Sequence, residues 1–292
     1  MTDATEAWAR RGGRLALAGR DVFVVDVGPS GPETAEPLLV VHGFPTSSFD
    51  FHRVVDGLAD RRRVVLLDLV GFGLSAKPDL AYTVDLQADV VVALTAHLGL
   101  DRLSLLTHDF GDTVGGELLA RQGEGRWDVE VVRRVLTNGS IYIAMAQLSA
   151  GQELLLALPD QQLAEASAFT ATTLGAALRE TFSPASSVPD EEVLGACELI
   201  TRLGGDRLLA RTIRYIEERR RHEDRYTGAI ESHPSPLSVV WGADDPIAVL
   251  PMTDRLAGSR PGTPVTVLDG VGHFPMVEAP ERFLTAVLAG LA

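Results

Sequence analysis

Three short segments of this 292-residue chain carry side chains that could do covalent chemistry together: Thr107-His108-Asp109-Phe110-Gly111, Gly242-Ala-Asp244-Asp245-Pro246 and Gly270-Val-Gly-His273-Phe274-Pro275. A serine must lose its proton before it attacks, whereas an aspartate such as Asp109 is already charged at neutral pH. It is also a weaker nucleophile, and that restricts its targets. Attack on an ester would give a mixed anhydride, which is poorly favoured. Attack on an sp³ carbon bearing a leaving group would give a stable alkyl ester, as an epoxide or an alkyl halide could. His273 would then deprotonate a water that attacks the Asp109 carboxyl carbon, with Asp244 or Asp245 orienting the imidazole. A fourth segment, His42-Gly43-Phe44-Pro45, can aim the Phe44 N–H at the same place as the Phe110 N–H, and together these would form an oxyanion hole.

These groups are useful only if the chain gathers them. Leu15–Leu17 and Val22–Val25 read as an antiparallel hairpin across Gly19-Arg20, and Leu38–Val41, Val64–Leu67 and Leu103–Leu106 as short buried strands. A helical period runs from Leu86 to Leu98. Such alternation predicts a mostly parallel sheet covered by helices, with catalytic groups in loops at the carboxyl ends of strands. Asp109 follows one strand and opens the helix Asp112–Arg121, in a tight turn like the one usually written G-x-S-x-G; Gly111, Gly115 and Gly116 leave room on the helix side, while Thr107 departs from the first glycine. A helix N-terminus also favours a carboxylate.

From 139 to 232 no strand-like run appears. Helices are expected over Gln152–Leu158, Glu191–Arg202 and Arg207–Arg220, with Ser187-Val-Pro-Asp190 as a capping box and Gly204-Gly205 as a stop. This segment reads as a helical lid inserted into a core formed by residues 1–138 and 233–292. Strands resume at Leu237–Trp241 and Pro264–Leu268, and a last helix spans Glu281–Leu291. The substrate is expected between the lid and the loops of Asp109 and His273, in a mainly apolar pocket that Ile141, Met145, Leu148 and Phe182 are available to line, with His42 and Tyr142 beside it.

His42-Gly-Phe-Pro, Asp68-Leu-Val-Gly-Phe-Gly-Leu-Ser75, His108-Asp-Phe-Gly111, Gly242-Ala-Asp-Asp-Pro246 and Gly272-His273 resemble the α/β-hydrolase superfamily, in its branch of epoxide hydrolases and haloalkane dehalogenases. The matching positions cover nearly the whole core. The run from His108 to Arg121, with Asn138-Gly139, is most similar to the mesoderm-specific transcript proteins. The resemblance implies an α/β-hydrolase fold with a mostly parallel eight-stranded sheet, and the chain order nucleophile, acid, histidine fits it. It prefers Asp245, which precedes Pro246, over Asp244 as the acid. In the resembled dehalogenases Trp or Asn side chains hold the halide, whereas Phe110 and Phe44 here have no side-chain donor, so the resemblance favours an epoxide. There lid tyrosines protonate the alkoxide. Tyr215 fits that role, with Tyr142 as a second candidate, while Tyr82 and Tyr226 are expected to pack.

Composition narrows the partners. A formal net charge of −14 argues against nucleic acid, which requires a basic face, and disfavours an anionic substrate. No run of about 18 apolar residues and no leader-like segment is present, so a cytoplasmic protein without a membrane span is expected, as monomer or homodimer. The single cysteine, Cys197, rules out an internal disulfide and reads as a half-buried helix residue. His52, His97, His222 and His233 do not cluster as a metal site would, and no phosphate- or dinucleotide-binding motif occurs, so no metal or cofactor is implied. His108 is expected to support the site through hydrogen bonds, Asp68 to cap the loop after its strand, and Arg61–Arg63 and Arg219–Arg221 to be solvated.

Overall fold

The N-terminal hairpin turns within two residues. Leu17 pairs with Arg20, so Ala18 and Gly19 alone make the turn, both at positive φ (46° and 72°), which suits a two-residue hairpin joining twisted strands. The computed structural model describes residues 1–29, 31–164 and 169–292. Its eight strands are β1 (Gly12–Leu17), β2 (Arg20–Val27), β3 (Leu38–Val41), β4 (Val64–Leu67), β5 (Arg102–His108), β6 (Glu130–Thr137), β7 (Leu237–Gly242) and β8 (Val265–Leu268). They form one sheet in the order β1-β2-β4-β3-β5-β6-β7-β8, antiparallel at β1-β2-β4 and parallel from β4 onward. Every residue of β3 and β4 is buried, as an unbroken apolar run demands when helices cover both faces.

The helices in chain order are α1 (Asp3–Arg11), α2 (Val55–Leu58), α3 (Val84–Leu98), α4 (Phe110–Gly123), α5 (Ala150–Ala157), α6 (Ala171–Arg179), α7 (Asp190–Thr201), α8 (Leu209–Thr212), α9 (Tyr215–Ser232), α10 (Pro251–Ser259), α11 (Pro275–Glu278) and α12 (Pro280–Gly290). Helix α3 is capped by the Thr83 side chain and by Gly99 in the left-handed region, and it packs on α4. Helix α12 lies against β6 and β7.

Between β6 and β7 the described residues hold helices α5 to α9 and no strand. Two local expectations fail there. Helix α7 begins at Asp190 with Pro189 as its N-cap and no side-chain cap, so Ser187 closes no capping box; the reciprocal pair is Ser149 and Gln152 at the start of α5. The helix expected over Arg207–Arg220 is broken instead. A 3₁₀ segment with Leu203 and Gly204 at positive φ leads into the short α8, and α9 then starts at Tyr215. Helix α1 was not anticipated. It packs on α7, where the Thr2 N–H donates to Glu198 (2.6 Å).

The insertion is fastened to the core through charge. Glu117 on α4 is 1% exposed and accepts Arg121 Nε (2.8 Å) from its own helix and Arg225 Nε (2.6 Å) and Nη2 (3.0 Å) from α9. A buried carboxylate is tolerated only when its oxygens are met in this way, and the pairing specifies where α9 sits on α4. Arg62 is also buried and Arg63 pairs with Asp26, so that arginine run is less solvated than its composition suggests. Cys197 is fully buried on α7.

Candidate active site

Strand β5 ends at His108 and α4 begins at Phe110, leaving Asp109 alone on the turn with φ 49° and ψ −110°. A non-glycine residue in that region is strained, and such strain persists where the surroundings hold it in place. The turn tolerates Thr107 because the helix side yields: a Cβ added to Gly115 would lie 3.0 Å from Thr107 Cγ2. The loop after β3 closes in from the other side. A Cβ on Gly43 would stand 2.7 Å from Asp109 Cβ and 2.9 Å from His108 Nδ1, so only glycine permits the approach that brings the Phe44 N–H to Asp109 Oδ2 (2.9 Å). The Phe110 N–H belongs to the first turn of α4, where amides lack intrahelical partners.

Behind Asp109 the imidazole of His273 donates from Nδ1 to Asp245 Oδ2 (2.8 Å). Asn138, at φ 43° just beyond β6, donates from Nδ2 to the same oxygen (2.8 Å) and accepts the Gly242 N–H (2.9 Å). The N–H groups of Ile247 and Ala248 fill Asp245 Oδ1 (2.8 and 3.0 Å). Asp245 is thereby held from four directions and can fix the imidazole. Asp244, the rival, instead accepts the Ser183 hydroxyl (2.7 Å). Burial acts to lower the His273 pKa, but the charge of Asp245, its hydrogen bond and the charges of Asp109 and Glu278 raise it to about 9. His108 moves the other way, to about 4, through burial and then the neighbouring His273 charge. Neutral His108 donates from Nε2 to the His273 carbonyl (2.8 Å), which leaves its buried Nδ1, beside Gly43, with no partner among the described residues.

The insertion reaches the same loop. The His273 N–H donates to Thr181 O (2.9 Å), and Glu278 accepts the N–H groups of Gly272 (3.0 Å), Phe274 (3.2 Å) and Ser183 (2.8 Å), which ties the histidine loop to the segment between α6 and α7. Tyr215 is 1% exposed, stacks on Phe110 with centroids 4.2 Å apart and meets Phe44 at 5.8 Å. Burial, and then the Asp109 charge, hold its phenol well above the usual value, so it keeps its proton. One turn along α9, Arg219 lies over the Tyr215 ring at 5.0 Å. Its guanidinium donates to Thr113 Oγ1 (2.8 Å), Ser140 O (2.8 Å) and Asp109 O (3.5 Å). The arginine expected in solvent is 2% exposed and grips the turn that carries Asp109.

Four side chains expected beside the substrate are not among those that line the cavity over His273. Tyr142 donates to Glu231 (2.6 Å) with Arg255 4.1 Å over its ring, which commits its hydroxyl to a different partner. His42 donates from Nδ1 to Gly43 O (2.8 Å) and accepts the Leu69 N–H at Nε2 (2.9 Å); both nitrogens brace loops and neither is left for a ligand. Ile141 is buried with its carbonyl on Thr227, and Met145 packs half-buried against the core. The cavity that opens onto His273 has a volume of about 230 Å³ and is walled by Phe44, Leu155, Leu174, Leu178, Leu209 and Phe274, so its lining comes mainly from α5, α6 and α8. Phe182 borders a second, smaller cavity. Among the described residues no group of His, Cys, Asp or Glu side chains is arranged to hold a metal ion, and no helix is long and apolar enough to cross a membrane.

The model of the alpha/beta hydrolase family matches residues 38–286, which takes in the elbow, both acid candidates and His273. The chain belongs to that family. Over 99% of both chains it is 37% identical to a putative hydrolase, LipZ, of Mycobacterium tuberculosis. It is 31% identical to the mouse mesoderm-specific transcript protein, over 99% of this chain and 88% of that one. An alpha/beta hydrolase fold protein of Burkholderia ambifaria superposes with a TM-score of 0.76 at 25% identity, covering 95% of this chain and 97% of its own. The eight-stranded, mostly parallel sheet with flanking helices is thus the fold of its structural neighbours as well.

Proposed function

We propose that this hydrolase opens an apolar epoxide to a vicinal diol through an alkyl ester of Asp109. The observation that carries the reading is the carboxylate on the strained elbow, with one oxygen on the Phe44 N–H, an Asp245-bound imidazole close by and a buried phenol stacked on the adjoining Phe110. At rest the site holds the Asp109 carboxylate, a protonated His273 and the Tyr215 phenol. The free carboxylate oxygen attacks an epoxide carbon, the C–O bond breaks, and Tyr215 gives the leaving oxygen its proton; the His273 imidazolium supplies the replacement. Esterification also removes the Asp109 charge, one of the influences that raise His273, so the imidazole becomes a neutral base when the second step needs one. It then takes a proton from water, the hydroxide attacks the ester carbon, and the tetrahedral oxygen rests on the Phe44 and Phe110 amides. Release of the diol restores the carboxylate and the imidazolium.

A halide as leaving group would need N–H donors. All three tryptophans use theirs in the core, Trp8 on Ser48, Trp127 on Thr95 and Trp241 on Ala248, and phenylalanines occupy the positions beside Asp109. That supports the epoxide over the alkyl halide. The test is His273→Ala incubated with a panel of aryl and alkyl epoxides that the wild type converts. The peptide containing Asp109 should gain the mass of the substrate and keep it; no adduct with a substrate the wild type turns over sinks the covalent mechanism.

A further inference from the structure

A substrate that fills an apolar cavity over His273 also shuts out the water that the second step consumes. A second, much smaller cavity, with room for about one water, lies across Phe274 and Leu178 from the first and shares both residues with it. Its floor is polar: Asp50 and Thr46, on the loop that follows Phe44, are 4% and 3% exposed. The Thr46 hydroxyl donates to Asp50 Oδ2 (2.5 Å), while no donor among the described residues reaches Asp50 Oδ1. At the outer end His52 and Glu192 pair at 3.3 Å with side chains about a fifth exposed, so the cavity runs from the surface to a buried carboxyl.

The geometry points to this cavity as a water inlet, separate from the substrate cavity, in which Asp50 and Thr46 hold the water destined for His273. The site has the size and the chemistry for it. A water needs two or more polar partners, and a carboxyl oxygen that no described donor reaches is such a partner in a mostly apolar wall. Asp50 lies near enough to His273 and Asp109 for their charges to act on it, and Phe274 packs edge-on against the imidazole at 5.0 Å, so the inlet ends beside the base. Burial, above all, pushes the Asp50 carboxyl up to about 8. Below that pH it is a neutral acid that can donate to a water and adds no further negative charge to those of Asp245, Asp109 and Glu278 around His273.

The assignment rests on the ester mechanism proposed above, and two measurements separate them. In high-resolution crystals of the wild-type protein an ordered water should lie within hydrogen-bond distance of Asp50 Oδ1; a dry cavity overturns the inlet, whatever the substrate. In single turnovers with trans-stilbene oxide, Ala196→Phe narrows the cavity from α7 without touching the triad. The variant should form the Asp109 ester at the wild-type rate and hydrolyse it more slowly by up to about 10²-fold, the scale of a misplaced reactant. Asp50→Leu, which removes the polar floor, should do the same. Ester decay at the wild-type rate in both overturns the inlet while leaving the ester mechanism intact. If neither wild type nor His273→Ala carries an adduct with trans-stilbene oxide or the other epoxides, the ester mechanism itself has failed, and the crystallographic water still decides whether the cavity holds one.

Discussion

The two halves of this site are built from different materials. On the core side, Asp109, His273 and Asp245 stand on loops at strand ends, and their surroundings are hydrogen bonds with assigned partners: Phe44 N–H, Asn138, the Ile247 and Ala248 amides, His108 on the His273 carbonyl. On the inserted side the cavity walls are mostly leucines of α5, α6 and α8, with Ser149, Gln152 and Thr181 among them, and Tyr215 and Arg219 of α9 reach the turn that carries Asp109. Hydrogen-bonded groups have few satisfactory positions, whereas apolar walls admit many side chains of similar volume. The core half therefore determines which bonds can be made and broken, and the inserted half which molecule is presented to them.

The strongest test of that division is the one inserted residue argued to take part in bond breaking. Tyr215→Phe keeps the stacking on Phe110 and removes only the hydroxyl. Alkylation by an epoxide should slow by about 10²-fold, the usual scale for loss of a general acid, with hydrolysis of a preformed Asp109 ester nearly unchanged. Unchanged alkylation would leave the inserted half a mere wall. Since the Tyr142 hydroxyl is bound to Glu231, Tyr142→Phe should affect neither step.

The core half can be examined through pH. In the free enzyme His273 is protonated below about 9, raised in part by Asp109. In the ester that carboxylate is neutral, so the imidazole loses its proton at lower pH than before. Ester hydrolysis should then rise with pH, by about tenfold per unit along its acid limb, and level off below pH 9. A limb that extends to 9 or beyond would mean that the Asp109 charge has no hold on His273.

The same contrast accounts for what could be read from the chain alone. The elbow, the two acids and the histidine each follow a run of strand residues, and short apolar runs ending in a polar loop are legible because strand ends are where an α/β sheet exposes groups. The inserted half has no such grammar. Ile141, Met145, Leu148 and Phe182 were suitable by type, yet the wall of the cavity over His273 comes from Leu155, Leu174, Leu178 and Leu209, because the path of helices packed through apolar faces is set by three-dimensional fit. Arg219 was hidden in a run of three arginines whose composition says surface. Helical phase would have found it: if Tyr215 faces the core, the residue four further on must face it too. His42 was misassigned because a histidine next to a glycine turn looks available until the Leu69 amide is found on its ring. Glu278 and Asn138 act through backbone amides and a neighbouring carboxylate, contacts far apart in sequence and without a local signature.

The smallest effect expected is also the one that isolates the inserted half. Leu174 lies on α6, on the cavity wall, and its side chain has no polar atom with which to bond to Asp109, His273 or Asp245. Leu174→Phe adds a larger, wholly apolar side chain to the cavity and no polar atom near the chemistry. Bulky epoxides should lose affinity and small ones should not, so the ratio of kcat/KM values for a diaryl and a short alkyl epoxide should change by about tenfold, the effect of one or two methylenes in an apolar pocket. The rate of Asp109 ester hydrolysis should stay within about twofold of wild type for the small substrate, because the His273–Asp245–Asn138 chain is untouched. A fall in ester hydrolysis that matches the fall in kcat/KM would show that the wall and the triad move together, and the separation of binding from chemistry would not hold for this enzyme.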